Sequence, residues 1–199
     1  RRAMSASLNS LLSEIAGCRL CAMSNGNPLP HNPRPVIQAA ASAELLIVGQ
    51  APGTRVHETG IPWNDASGNR LRVWLQMERE QFYDPARIAI MPMGLCFPGQ
   101  NARGADLPPR PECAPTWHDR VLAELPNIRT VLLIGQYAQA RYLGKRRKSS
   151  MTDTVAHWRD YAPRYWPMPH PSWRNNGWLR KHGWFEADLL PALRAHIAG

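Results

Sequence analysis

Glu44-Leu45-Leu46-Ile47-Val48-Gly49 is a short apolar run closed by a glycine. Such a run reads as a strand buried on both faces, the kind a parallel sheet contains. Runs of the same kind recur at Arg87 to Met91 (RIAIM) and Thr130 to Gly135 (TVLLIG), and a fourth strand is read at Tyr165 to Met168. Helical patterns lie between them at Ser67 to Arg79, Pro115 to Leu125 and Gln136 to Leu143. Upstream, Ser7 to Ala16 places Leu8, Leu11, Leu12 and Ile15 at helical spacing, and a last helix is read from about Trp184 to Ile197. Strands and helices in alternation predict an α/β fold: a three-layer α/β/α sandwich around a central, mainly parallel four-stranded sheet. Ligands of such sheets bind at the carboxyl ends of the strands. The segments Gln50 to Gly68 and Gly94 to Gly104 begin there.

With 199 residues, 44% of them hydrophobic, the chain has material for one sizeable core, and a single domain over 1–199 is expected. No stretch approaches the roughly 18 uninterrupted apolar residues of a membrane span. Arg1-Arg2-Ala3-Met4 leads into a polar segment rather than a signal-peptide core, so a soluble, cytoplasmic protein without a membrane partner is expected. Lys and Arg outnumber Asp and Glu by 24 to 15, a formal charge of +9, and the resulting positive field favours a polyanionic partner, most simply nucleic acid. Charge alone does not separate that from a basic protein with no such partner. Nineteen prolines and eight tryptophans against three phenylalanines suggest long ordered loops carrying flat aromatic surfaces, and residues 22 to 43 read as one of them. The run Lys145-Arg146-Arg147-Lys148, followed by two serines, reads as an exposed, mobile loop.

All four cysteines fall into two pairs. Cys18 and Cys21 form a CxxC just after the first helix; Cys96 and Cys113 are separated by sixteen intervening residues in a Pro-rich loop after the second strand. Two thiolates one turn apart grip one metal centre, and a distant pair completes a set of soft sulfur ligands. The spacing suits zinc or an iron-sulfur cluster and does not choose between them. Disulfides are disfavoured by the expected intracellular setting.

Gly49-Gln50-Ala51-Pro52-Gly53, continuing through Glu58, Gly60, Pro62, Trp63 and Gly68, resembles the first active-site motif of family 4 uracil-DNA glycosylases, approximately GEAPG, an acidic residue, then GxPFVGxAG. His170-Pro171-Ser172 resembles the superfamily's second motif, near the last strand. The cysteines fall where that family places its cluster ligands. The resemblance runs from Cys18 to the last helix, and three motifs in the right order are far more specific than any one of them. It implies a DNA-repair glycosylase that hydrolyses the N-glycosidic bond of a flipped deaminated base, with a 4Fe-4S cluster on Cys18, Cys21, Cys96 and Cys113; Zn2+ is the alternative. It implies that Trp63 stacks on the flipped base and that His170 donates a hydrogen bond to the base oxygen as negative charge develops. Gln50 and the backbone of Ala51, Pro52 and Gly53 would face the base and hold a water. The physical demands agree, since chemistry on a base requires it to leave the stack for a pocket with an aromatic face and polar edge readers.

The sequence departs from the family in two places. Gln50 stands where the family has glutamate, and an amide positions a water but cannot accept its proton. Asp65, two residues from Trp63, is the candidate base, with Glu58 and His57 as alternatives; equally, Asp65 caps the helix that begins near Ser67. Four residues before Cys96 the family has an asparagine that reads the uracil edge, and here stands Pro92. Uracil specificity therefore does not carry over: either Asn64 supplies an amide, or another base such as hypoxanthine is preferred.

After Ser172 come Trp173, Arg174, Asn175 and Asn176, then Trp178, Arg180 and Lys181. In the superfamily this loop enters the minor groove. Trp173 is placed as the wedge, with Ser172, Arg174, Arg180 and Lys181 on the DNA, while Trp178 and Trp184 read as core. No lysine sits in a recognisable lyase motif. The reading is a monomeric, monofunctional glycosylase whose partner is DNA with a damaged base. Its rivals are a catalytically inactive module of the same fold that binds damaged or abasic DNA, and an enzyme of free nucleosides or RNA, which the charge and the Trp/Arg-rich loop disfavour.

Overall fold

The computed structural model describes residues 2–24 and 26–199, with side chains from Ser7 onward; of the basic start read above, Arg1 lies outside the described residues. The four expected strands form within a residue or two of their predicted bounds: β1 (Leu45–Val48), β2 (Ile88–Ile90), β3 (Thr130–Ile134) and β4 (Tyr165–Met168). All pair in parallel, in the order β2-β1-β3-β4. Leu45 lies opposite both Ile88 and Thr130, and Val131 opposite Tyr165. The order reverses at β1, whose two neighbours both come later in the chain, and parallel sheets open their ligand crevices beside such a reversal.

Around the sheet lie α1 (Arg2–Ala16), α2 (Thr54–Thr59), α3 (Ala66–Leu75), α4 (Arg79–Phe82), α5 (Cys113–Ala123), α6 (Gln136–Leu143), α7 (Met151–Ala156), α8 (Asn176–Lys181) and α9 (Leu190–Ala198). Because strand side chains alternate between faces, each apolar run supplies two cores. Leu46, Val48, Ala89, Met91, Val131 and Leu133 meet Leu8, Leu11 and Ile15 of α1, Trp117 and Val121 of α5, and Ala138 of α6. Leu45, Ile47, Ile88, Ile90, Leu132 and Ile134 meet Leu71, Trp74 and Leu75 of α3, Val155 of α7, and Leu190 and Leu193 of α9. This is the predicted three-layer α/β/α sandwich. Burying each such side chain contributes about 1.5–3 kcal/mol, which is why uninterrupted apolar runs are needed at the centre.

Three expectations change. The helix read through Arg79 stops at Leu75, because Gln76 turns left-handed (φ 53°) and its N–H closes on Arg72 and Val73. The last helix opens with a widened turn over Phe185–Leu189 before α9. Pro191 explains the widening, since it has no N–H for the carbonyl four residues back and its ring crowds that turn. The Lys145–Lys148 run is largely exposed but not loose: residues 144–146 form a tight turn, Arg146 donates to the Asp160 carbonyl, and Lys148 pairs with Asp160 at 2.7 Å.

The long segment before β1 covers the sheet's edge. Gln38 exchanges backbone hydrogen bonds with Ile90 (2.9 and 2.7 Å), and its side chain donates to the Ile88 carbonyl. Among the described residues no helix is long and apolar enough to cross a membrane.

Candidate active site

A cleft of about 510 Å³ opens at the carboxyl ends of the strands. Its walls come from the loop after β1 (49–53), from Trp63, Asp65 and Ser67, from Pro92 after β2, from Gln100, Gly104 and Asp106, and from the segment after β4 that carries His170 and Ser172 to Asn175. A larger cavity, about 830 Å³, lies at the opposite end among Glu44, Arg87, Arg129, Thr130 and His196. It holds none of the motif residues, so the chemistry is sought at the smaller one.

Trp63 is seated by two glycines. A Cβ on Gly49 would lie 2.7 Å from the indole Cζ2, and one on Gly68 only 1.7 Å from the Trp63 carbonyl oxygen. Trp63 itself has φ 55°, a left-handed conformation that costs a bulky residue about 1–3 kcal/mol. The surroundings hold it there, with Tyr83 donating from its hydroxyl to the neighbouring Pro62 carbonyl at 2.8 Å.

The His170 ring lies 5.6 Å from the indole, tilted by 33°. The backbone N–H of Ser172 donates to its Nδ1 at 3.2 Å, so Nδ1 carries a lone pair and the proton of the neutral ring sits on Nε2. Burial holds the imidazole pKa below its ordinary value, against the opposing pull of Asp65 and Asp106. Asn175 donates to the His170 carbonyl at 2.7 Å, and Arg70 reaches from α3 to the Ser172 carbonyl at 3.3 Å. The result is a fixed, neutral N–H donor beside an aromatic face.

Two carboxylates share the cleft. Asp65 caps α3, its Oδ1 accepting from the Gly68 N–H at 2.8 Å, while its other oxygen lies 4.0 Å from the place of a Cβ on Gly53. The capping reading of Asp65 is what the structure shows, and its other oxygen faces the cleft. Asp106 comes from the loop between Cys96 and Cys113; Gln100 donates to its Oδ1 at 3.0 Å, and its Oδ2 lies 3.5 Å from the same Gly53 position. Sequence reasoning passes over Asp106, because the segment read as lining the site, Gly94 to Gly104, stops two residues short of it.

The sequence matches the family model of the uracil DNA glycosylase superfamily over residues 37–194. The chain belongs to the uracil DNA glycosylase superfamily. Members are DNA glycosylases, hydrolases of base-excision repair, and the fold implies binding of DNA. The match takes in both motifs, Cys96, Cys113 and all of the cleft but Val36, and begins after Cys18 and Cys21.

As a glycosylase-superfamily cleft, the pocket draws together most of the residues predicted for it: Gln50, Ala51, Pro52, Gly53, Trp63, Asp65, His170, Ser172, Trp173 and Arg174 all line it. Trp173 stands 69% exposed at the rim, with the Arg174 guanidinium 5.5 Å from its ring. Asn64 is turned elsewhere: its amide donates to Thr59 Oγ1 and accepts from Arg79 at 3.2 Å. His57 packs against His31 and Phe97, and Arg34 grips the His57 and Glu58 carbonyls, so neither alternative base lines the cleft. Arg180 and Lys181 are exposed on α8, outside the lining. Trp178 and Trp184 are half-buried against the second core.

Pro92 lines the pocket, and its carbonyl is held by a buried side chain. His118, fully buried on α5, donates from Nε2 to that oxygen at 3.0 Å and accepts at Nδ1 from the Tyr142 hydroxyl at 2.9 Å. Burial drives the His118 pKa down to about 4. No sequence signal marks this pair, because a lone buried histidine has no motif.

The four cysteines form no disulfide. Cys21, Cys96 and Cys113 are buried in the first core with Cys18 packed against it, and the Cys21 and Cys113 thiols are hydrogen-bonded. Burial first, with the neighbouring sulfurs adding, pushes the Cys96 and Cys113 thiols up to about 12. The buried Arg110 guanidinium, paired with Glu112 at 2.8 Å, lies within hydrogen-bonding reach of Cys21. Among the described residues no three His, Cys, Asp or Glu side chains are drawn together tightly enough to hold a metal ion.

Proposed function

We propose that this chain is a monofunctional DNA glycosylase, acting as a monomer on DNA, that flips out a deaminated base, uracil or hypoxanthine, and hydrolyses its N-glycosidic bond. The observation that carries the reading is the neutral His170 N–H fixed beside the Trp63 face in one cleft. The indole stacks on the extruded base, and His170 meets the base oxygen as the glycosidic electrons move onto it; donors fixed in advance toward developing charge are usually the largest catalytic contribution. Gln50 positions the water. Trp173 fills the gap in the stack, and Arg174 meets a phosphate.

The two motifs and the four cysteines support a place beside the iron-sulfur family 4 enzymes, with the Gln50 and Pro92 departures bearing on water activation and base choice. Cys18, Cys21, Cys96 and Cys113 are the residues that would hold a 4Fe-4S cluster, with Zn2+ the alternative: all four thiols are free and gather at the first core near the Arg110 guanidinium, and among the described residues they would have to draw closer together to ligate it. Bound there, the group would serve as a structural cross-link between the segment after α1 and the loop that carries Asp106. The same two departures favour the rival binding module.

The test is base release from single- and double-stranded oligonucleotides carrying uracil or hypoxanthine, with anaerobically prepared protein of known iron content. Release is expected from at least one lesion, falling about 100-fold or more in His170→Ala. Tight binding by iron-replete protein with no release selects the binding module.

A further inference from the structure

We propose that Asp106 is the catalytic residue that takes the proton of the attacking water, an assignment that rests on the glycosylase reading above. Gln50 cannot accept that proton, and among the described residues two carboxylates line the cleft, Asp65 and Asp106. Asp65 is committed to α3. One oxygen accepts the Gly68 N–H as the cap of a ten-residue helix and is occupied there. Asp106 has no helix behind it. A single neutral amide, that of Gln100, orients Oδ1, and Oδ2 is left toward Gly53, on the side where the motif loop faces the base.

The loop that carries Asp106 is built to hold it. Gln100 and Asp106 form a backbone bridge, Leu107 N–H donates to the Gly99 carbonyl at 2.9 Å, and Asn101 Oδ1 accepts from the N–H groups of Arg103 and Ala105 at 2.9 and 3.1 Å. Gly99 and Gly104 take the left-handed turns this path needs (φ 95° and 71°). Asp106 is exposed to solvent in the free protein, so water reaches it, and it lines the same cleft as Trp173 and Arg174.

In the step itself the water oxygen bonds to the deoxyribose C1′ and its proton passes to the Asp106 carboxylate. The C1′–N bond breaks, and its electron pair leaves with the base, whose oxygen His170 meets as donor. The products are an abasic sugar bearing a C1′ hydroxyl and the free base, which takes up a proton from the acidic Asp106 or from solvent.

The experiment compares Asp106→Asn and Asp65→Asn with the parent in single-turnover base release, in binding to DNA carrying a tetrahydrofuran abasic analogue, and across pH. The other charged or titratable groups lining the cleft are Asp65, His170 and Arg174. A second proton on His170 would sit on Nδ1 against the Ser172 N–H, so an acid limb set by His170 persists in Asp106→Asn, whereas one set by Asp106 does not. Asp106→Asn is expected to lose about 100-fold or more in release, to keep its affinity for the analogue, and to lose the acid limb of the rate profile. Asp65→Asn is expected to keep that limb. Release by Asp106→Asn within about threefold of the parent, with the limb intact, overturns the assignment and leaves the glycosylase reading standing. A parent that releases neither base overturns both.

Discussion

Trp63 is held in place largely by what its neighbours lack. The closest approach is backbone to backbone: a methyl at residue 68 would sit 1.7 Å from the Trp63 carbonyl oxygen, and no side-chain rotation relieves that. Gly68→Ala must therefore move the 63–68 turn, and we expect it to cost roughly 3 kcal/mol, lowering Tm by about 6–12 °C. At residue 49 the obstacle is the tip of the indole itself, 2.7 Å away, which can swing aside. Gly49→Ala is expected to displace the stacking face, so base release falls severalfold or more while Tm changes less than in Gly68→Ala. Thermal melts and release assays on the two variants check this contrast. Equal loss of stability in both would mean that the indole is as immovable as the backbone.

At the scale of elements, the segment after β4 delivers His170 inward and Trp173 outward. Ser172 makes this possible: its N–H fixes the imidazole, its Oγ accepts from the Arg174 N–H at 3.2 Å to start the turn over Trp173–Asn175, and Arg70 ties its carbonyl to α3. Trp173 touches little else, so Trp173→Ala is expected to leave Tm unchanged and to weaken binding to abasic-analogue DNA by about 1–3 kcal/mol, the worth of one stacked aromatic. Arg174→Ala should instead lower affinity for all sequences alike and reduce the salt slope by about one, read from titrations at several salt concentrations. This element was legible in the sequence because His170-Pro171-Ser172 is contiguous, as were the strands, whose apolar runs have few other uses. Asp106 was not legible, since its place depends on a hairpin fixed by Gly99, Asn101 and Gly104, and nothing in one dimension says which way that hairpin folds. Nor was the outward turn of Asn64, which Arg79 and Thr59 decide from another stretch of chain.

Across the whole molecule, the cleft and the first core layer are joined by the chain Tyr142, His118, Pro92. It links α6 to α5 and then to the pocket wall through one part-buried and one buried hydrogen bond. Its geometry requires a neutral ring, because a second proton would have to sit on Nδ1, where Tyr142 donates. The folded pKa of His118, about 4, lies below the ordinary 6.5, so between those values the unfolded chain binds a proton that the native protein refuses. The stability tied to this group is therefore complete above about pH 6.5 and is lost as pH falls toward 4, about 2 kcal/mol of it by pH 5. His170, depressed in the same direction, adds to the trend. His118→Gln keeps one donor and one acceptor and does not titrate. We expect it to cost some stability at pH 7 but to lose about 4–8 °C less Tm than the parent between pH 7 and pH 5. Melts at the two pH values test this. Parallel losses in both proteins would place the acid sensitivity in another group, and a flatter profile in the variant would tie the protein's acid tolerance to the residue that fixes the Pro92 wall of the base pocket.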